Sequence, residues 1–335
     1  MHDSLGSSGD SDVAVDANGV LYVSDLFSNV PVSTSFDKGA TFAYEAQTIT
    51  GASIDRQWTA ASGDGNVFSV VRDGSTEKIA ISHDKGVSWT NRVVTTGVGL
   101  QGNILATSDN DLYIPYSGSG MRLAISHDAG QTWTTKLVNG AGSTTLFPAV
   151  AVDAAGVIYM AWSAKSNADL GYEILVTQSA DGGNTWDSAK PLSTVGHTAI
   201  FPWIVAGDAG RVAVAWFDGR TPVNQGMSPD LASVAEWVVE VAYTQQGQTG
   251  LRSNWAVTDA TPVIHRGPIC TMGTACFPVS NPVALNRALL DFFEMTTTPS
   301  GDIVLAFAAD PGAVVNTGGT VLKTVRQTGG PNLKA

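Results

Sequence analysis

Three carboxylates and three guanidinium groups carry the chemistry that this chain could perform. Asp218 lies in Trp216-Phe217-Asp218-Gly219-Arg220, and Asp291 and Glu294 lie in Leu290-Asp291-Phe292-Phe293-Glu294. Paired acids at suitable separation cleave glycosidic bonds, one protonating the leaving oxygen while the other serves as base or nucleophile. Arg56, Arg220 and Arg287 can each hold a substrate carboxylate through two parallel hydrogen bonds. Trp58 and Trp203 offer rings for the apolar faces of a sugar, with Asp55 as a further polar contact. Each group also has a structural reading. Asp55 and Arg56 can form an internal ion pair between the first two repeats, Asp218-Gly219-Arg220 can be a loop turn, and Asp291 and Glu294 can cap backbone groups. Phe147-Pro148 and Phe201-Pro202-Trp203 can be core.

The acids fall on, or at the end of, the two longest connections. Residues 217–236 separate Trp216 from the next strand, and residues 261–290 lead into the final repeat. Connections longer than a hairpin loop in a compact domain concentrate function. Ser228-Pro229 reads as the N-cap and first position of one short helix in the first of them.

These residues need a scaffold, and internal repeats describe it. Four segments share one pattern: Ser35-Phe-Asp37-Lys-Gly39-Ala-Thr41-Phe42, Ser82-His-Asp84-Lys-Gly86-Val-Ser88-Trp89, Ser126-His-Asp128-Ala-Gly130-Gln-Thr132-Trp133 and Ser179-Ala-Asp181-Gly-Gly183-Asn-Thr185-Trp186. Their starts are 47, 44 and 53 residues apart, and Thr244-Gln-Gln-Gly247-Gln-Thr249 reads as a decayed fifth copy. The Asp carboxylate accepts backbone N–H groups across the turn, and Gly supplies a positive φ. The closing aromatic ring opens a strand; burying it is worth up to about 4–5 kcal/mol. His83 and His127 fill variable positions of the pattern and read as turn-surface residues.

A second repeat sits between the first: Val13-Ala-Val-Asp16-Ala-Asn-Gly19-Val-Leu-Tyr22, Val150-Ala-Val-Asp153-Ala-Ala-Gly156-Val-Ile-Tyr159 and Val205-Ala-Gly-Asp208-Ala-Gly210, with three looser copies. Six hairpins, each followed by a third strand and usually a fourth, describe an all-β, six-bladed β-propeller with four-stranded antiparallel blades. The expected blades are 10–50, 51–97, 98–142, 143–196, 197–264 and 285–330, in one domain over 1–335, the last without a clear fourth strand. Aligning the hairpins makes Asp12, Trp58, Ile104, Ala149, Trp203 and Glu294 equivalent, and likewise Asp10, Arg56, Gly102, Phe147, Phe201 and Phe292.

The repeated Ser-x-Asp-x-Gly-x-Thr-Trp turns resemble the Asp boxes of bacterial neuraminidase repeats, and the whole chain looks like a sialidase-like propeller. The resemblance implies structural roles for Asp37, Asp84, Asp128 and Asp181, on the face away from a ligand site. It also implies an early Arg motif and a late tyrosine nucleophile. The corresponding early segment here is Ser11-Asp12-Val13-Ala14, without Arg, and the last tyrosine is Tyr243. The fold therefore carries over and the full sialidase catalytic set does not.

The composition agrees with short strands and tight turns: 36 Gly, 43% hydrophobic and 14% charged residues. A net charge of −12, with no basic run, argues against nucleic acid. No apolar stretch is long enough for a membrane-spanning helix. The polar start, Met1-His2-Asp3-Ser4, reads as the head of a mature, leaderless chain. Cys270 and Cys276 lack the companions of a metal site and the spacing of a redox motif, which leaves a short disulfide or two buried thiols. A disulfide of that loop length is worth about 2 kcal/mol and belongs to an oxidising compartment. No metal and no cofactor are expected, since no phosphate loop, dinucleotide fingerprint or zinc motif occurs. Asp181-Gly182-Gly183-Asn184 lacks the other ligands of a calcium loop. Two functions fit: an extracellular glycoside hydrolase acting on an acidic or other sugar, or a non-catalytic module binding glycan or protein at a cell surface.

Overall fold

The computed structural model describes residues 10–140, 146–165, 171–220, 235–247, 255–271, 289, 293–310 and 320–334. The chain forms two compact units, Met1–Gly142 and Ser143–Ala335. Each unit holds three antiparallel sheets, as a six-bladed β-propeller requires. No described residue lies in an α-helix.

In the first unit, the first sheet runs β1 (Ser11–Val15), β2 (Leu21–Asp25), β3 (Asn29–Ser35) and β4 (Tyr44–Thr50). The second runs β5 (Ile54–Ser62), β6 (Asn66–Asp73), β7 (Thr76–Ser82) and β8 (Thr90–Thr96). The third is built from β9 (Leu105–Ala106), β10 (Leu112–Gly118), β11 (Gly120–Ser126) and β12 (Thr134–Asn139).

In the second unit, the fourth sheet is β13 (Ala149–Val152), β14 (Ile158–Lys165), β15 (Tyr172–Ser179) and β16 (Lys190–Pro191). The fifth is β17 (Thr198–Ala206), β18 (Val212–Gly219), β19 (Glu236–Thr244) and β20 (Ala256–Asp259), with β21 (His265–Arg266) also paired to β19. The sixth shows β22 (Phe293–Thr297), β23 (Ile303–Ala309) and β24 (Val321–Arg326) among the described residues. The third strands of the other sheets are largely buried, whereas β24 is exposed along most of its length.

The turns explain why the strands end where they do. In each Asp box the Ser hydroxyl donates to one carboxylate oxygen at 2.8 Å. The Thr or Ser hydroxyl donates to the other oxygen at 2.6 Å. The box Gly N–H donates back to the Ser oxygen. Three closing Trp rings donate Nε1–H to the carbonyl of their own box glycine. Hydrogen bonds from the Thr and Ser groups hold Asp37, Asp128 and Asp181 down at about 2, and lower Asp84 as well.

The inner hairpins use a second aspartate device. Asp16 Oδ1 accepts the N–H groups of Asn18 and Val20, and Oδ2 accepts the Tyr22 hydroxyl at 3.1 Å. Asp153 repeats this with Ala155, Val157 and Tyr159, and its Oδ2 also accepts the Gly210 N–H at 2.7 Å. That added bond stitches the β13–β14 turn to the β17–β18 turn.

The repeat exposes one departure. Counting five residues back from the box serine, or from Thr244 in the fifth sheet, reaches Val30, Glu77, Met121, Ile174 and Val239. All five are fully buried. Four are apolar, and the fifth is a glutamate whose carboxyl oxygens have no hydrogen-bond partner. Burial pushes the Glu77 pKa well above the usual carboxylate range, and Arg72, opposite it in the ladder, counters only part of this.

The C-terminal segment docks within the second unit. Leu333 is buried, receives a hydrogen bond from Asp208 N–H at 2.8 Å and donates to the Gly301 carbonyl at 2.9 Å. Arg211 bonds the Asn332 carbonyl at 2.7 Å. A Cβ on Gly207 would overlap the Leu333 carbonyl, so glycine is required there.

Candidate functional site

The first strands share an unusual backbone state. Arg56, Phe147 and Phe201 adopt φ of 54°, 45° and 53°, in the left-handed region that bulky side chains avoid. These are three of the positions made equivalent by aligning the hairpins. In β5 and β17 the register slips at this point, so each is a bulge that re-aims the strand end. Strain of about 1–3 kcal/mol per residue, kept at one register position in three repeats, marks a functional candidate.

In the first unit, Arg56 is 5% exposed and its guanidinium carbon sits 4.0 Å from the Trp58 ring centre. The Asp12 carboxylate accepts Thr59 N–H at 2.6 Å, and Gln101, in the segment before β9, donates to the Arg56 carbonyl. Asp55 does not take the expected ion pair between repeats. It pairs with Arg72 across β5–β6 at 2.9 Å, inside its own sheet, because the slip at Arg56 leaves Asp55 opposite Arg72.

In the second unit the two left-handed phenylalanines pack inward. Phe147 and Phe201 stack at 6.0 Å, Phe201 meets Phe217 edge-on, and Phe217 meets Phe293 at 4.8 Å. Trp203, just past the bulge, is half-buried against the same core. Glu294 is half-buried on β22, opposite Ala306.

Charged groups gather beside these rings. The sequence places Asp218 at the start of a long loop, but the structure extends β18 to Gly219, and Asp218 is a fully buried strand residue. Its ladder partners Ala199 and Val238 hold it there. His197, immediately before β17, has Nδ1 2.7 Å from Asp218 Oδ2, and Trp216 Nε1–H reaches Oδ1 at 3.4 Å. With the carboxylate accepting, Nδ1 carries the proton and Nε2 is the ring's other nitrogen. The hydrogen bond that His197 donates to Asp218 raises the His197 pKa against its partial burial.

Glu240 lies opposite Trp216 on β19 and is 6% exposed. Burial, then the charge of Asp218, pushes its pKa up to about 6, while Arg220 and His197 pull the other way. Arg220 stands 3.6 Å from Glu240 and also pairs with Asp259, which faces Glu240 across β19–β20. A buried Asp paired with a half-buried His, beside a carboxyl that titrates at about 6, is equipped to move a proton.

Sequence reasoning named Asp218 and Arg220 but not His197, Glu240 or Asp259. A usable signal existed: Glu240 interrupts Trp237-Val-Val-Glu240-Val-Ala, where every neighbour is apolar. Asp291, Arg287 and Cys276 lie outside the described residues, as does the expected helix at Ser228. Cys270 is buried. Tyr243 lies on β19, opposite Ala213 and at the far end of the strand from Glu236. Among the described residues no cluster of three or more His, Cys, Asp or Glu could hold a metal, and no helix is long and apolar enough to cross a membrane.

Residues 57–200 match the family model described as a BNR repeat-like domain. No curated protein sequence matches the chain. Among solved structures, the intramolecular trans-sialidase of Ruminococcus gnavus is similar at 11% identity and a TM-score of 0.59, covering 96% of this chain and 94% of that one. NanB sialidase of Streptococcus pneumoniae (K499G mutant) gives 11%, a TM-score of 0.55, and 96% and 68% coverage. The α-L-arabinofuranosidase Arb93A of Fusarium graminearum gives 13%, a TM-score of 0.54, and 95% and 92% coverage. At such identities the likeness is one of fold.

Proposed function

On this sialidase-like, BNR-repeat propeller, we propose an extracellular glycoside hydrolase acting on an acidic or other sugar. The observation that carries the reading is the pairing of buried Asp218 with half-buried His197 beside Glu240, whose carboxyl is poised at about 6. Glu240 serves as general acid toward the leaving oxygen, Asp218 orients His197 and holds its charge, and Arg220 attracts an anionic substrate group. Asp291 and Glu294 are the further carboxylates of the reaction. Arg56, Asp55 and Trp58 are sugar contacts within the first unit, and Trp203 and Arg287 are sugar contacts within the second. Folds of this kind are shared with the sialidases and the arabinofuranosidase, which supports glycan as the ligand class. A Cys270–Cys276 bridge belongs to this extracellular reading, and loss of two hydrogens in the intact mass relative to the reduced chain tests it.

A second reading, a non-catalytic glycan- or protein-binding module, rests on one observation. Asp218 is fully buried and Glu240 nearly so, which suits internal stitching as well as chemistry.

One experiment separates them. The purified chain is screened against fluorogenic glycosides, including a sialoside and an arabinofuranoside, together with a glycan-binding array. The hydrolase reading expects turnover that falls about 100-fold or more in Glu240→Gln with KM little changed, and that declines as pH rises through about 6. Binding without turnover supports the second reading, and silence in both assays removes glycan as the ligand.

A further inference from the structure

A groove of about 380 Å³ opens in the second unit between the outer strands of the fifth and sixth sheets. Its floor is apolar: Val241, Ile303 and Leu305 are buried there, and Val325 packs against the same core. Its rim is polar, with the Tyr243 ring, Asp259, Arg326 and Thr258 around the opening. One wall is the chain after β24. Gln327 N–H donates to the Ile303 carbonyl at 2.8 Å, and its side-chain amide binds the carbonyls of Gly329 and Pro331. With Leu333 seated beyond it, that wall is fixed before any ligand arrives, so binding loses little to ordering.

We propose that this groove is a second binding site, sharing Asp259 with the edge of the Asp218 cluster, for a neutral saccharide of one or two rings. The size matches a small ligand pocket, and its lining is divided between apolar and hydrogen-bonding groups, as a sugar requires. Both charged rim residues are already neutralised, Asp259 by Arg220 and Arg326 by Asp302. The site therefore presents hydrogen-bonding groups without net charge, which suits sugar hydroxyls over an ionised ligand. The floor and the Tyr243 ring take the C–H face of the sugar, while Asp259 accepts from and Arg326 donates to its hydroxyls.

The test uses the full chain labelled at Ile, Leu and Val methyl groups, so that Val241, Ile303, Leu305 and Val325 report directly. Methyl galactoside, methyl glucoside, methyl arabinofuranoside and lactose are titrated, with 3′-sialyllactose as the charged comparison. Saturable shifts confined to these methyls with a neutral sugar are expected. They should persist in Asp218→Asn, which keeps this result independent of the catalytic reading. Arg326 is exposed, so Arg326→Ala leaves the fold intact, and it should weaken binding about 5- to 10-fold, the worth of one good hydrogen bond. Ala260→Trp fills the groove and should abolish the shifts. No shift at these methyls with any neutral sugar, shifts with sialyllactose alone, or shifts unaltered by both Arg326→Ala and Ala260→Trp would overturn the proposal.

Discussion

Glu77 offers a sharp test of how the repeat specifies the fold. Its position is filled by Val30, Met121, Ile174 and Val239 in four other repeats, all fully buried. Replacing it with methionine, the residue of the third repeat, keeps volume and removes a carboxyl with no hydrogen-bond partner. A buried unpartnered polar group costs about 1–3 kcal/mol, so Glu77→Met should stabilise the protein by about that much at pH 5. The gain should grow with pH. The folded-state pKa of Glu77 is raised, so its protonated form is favoured in the fold. Its contribution is fully present below the unfolded pKa and is lost as pH rises toward the folded value. Each unit in that interval costs the parent about 1.4 kcal/mol, and the variant escapes this. Glu77→Gln separates the two effects, since it keeps a buried polar group but cannot titrate. It should match the parent near pH 5 and exceed it at pH 7. Urea unfolding midpoints of all three proteins at pH 5 and 7 supply the measurement. The reasoning fails if Glu77→Met is no more stable than the parent at pH 7, or if its advantage is the same at both pH values.

Three further outcomes follow from the same physical arguments. Asp153→Asn should cost about 1–3 kcal/mol more than Asp16→Asn, because an amide can be met by a turned tyrosine hydroxyl but leaves the buried Gly210 N–H facing a donor; equal losses in denaturant melts would contradict this. Phe201→Gly should be more stable than Phe201→Ala by about 1 kcal/mol, reversing the usual order, since only glycine relieves the left-handed φ of 53°; an alanine variant that is equal or better refutes the strain. The Asp boxes should set the acid limit. Asp37, Asp128 and Asp181 have depressed folded-state values near 2, so their stabilisation is present above about 4 and is lost as pH falls toward 2. Thermal melts between pH 6 and 2 should fall steeply in that window, and a flat profile would count against the turns.

The Asp boxes and the Asp16 and Asp153 hairpins were legible because their chemistry is mostly local, each carboxylate bonding groups within six residues of itself, with the Gly210 N–H on Asp153 as the one distant addition. Hairpin alignment was equally informative, for the equivalence of Arg56, Phe147 and Phe201 reappears as a shared backbone state. The proton-moving cluster was not legible in full. His197 and Asp218 are 21 residues apart, and they meet because β17 and β18 pair around the slip at Ile200–Trp203. Spacing alone cannot anticipate a register slip, and the same slip in β5 diverted Asp55 to Arg72. Asp218 was misjudged as a loop residue because glycine at 219 reads as a turn, whereas its ladder with Trp237 keeps it in the strand. The docking of Leu333 depends on open space at Gly207, which only tertiary structure reveals.

Each Asp box closes through atoms of its own few residues, and that self-sufficiency bears on descent. A turn that borrows no hydrogen bond for its carboxylate from another repeat can be copied, moved or inherited as a unit without stranding a charge elsewhere. Selection can then hold the turn while the strands between turns drift under the looser demand of staying apolar on their buried faces. The box becomes the slow clock of such a chain and the strand the fast one, so common ancestry stays readable in the corners of the fold after it has faded from the sheets.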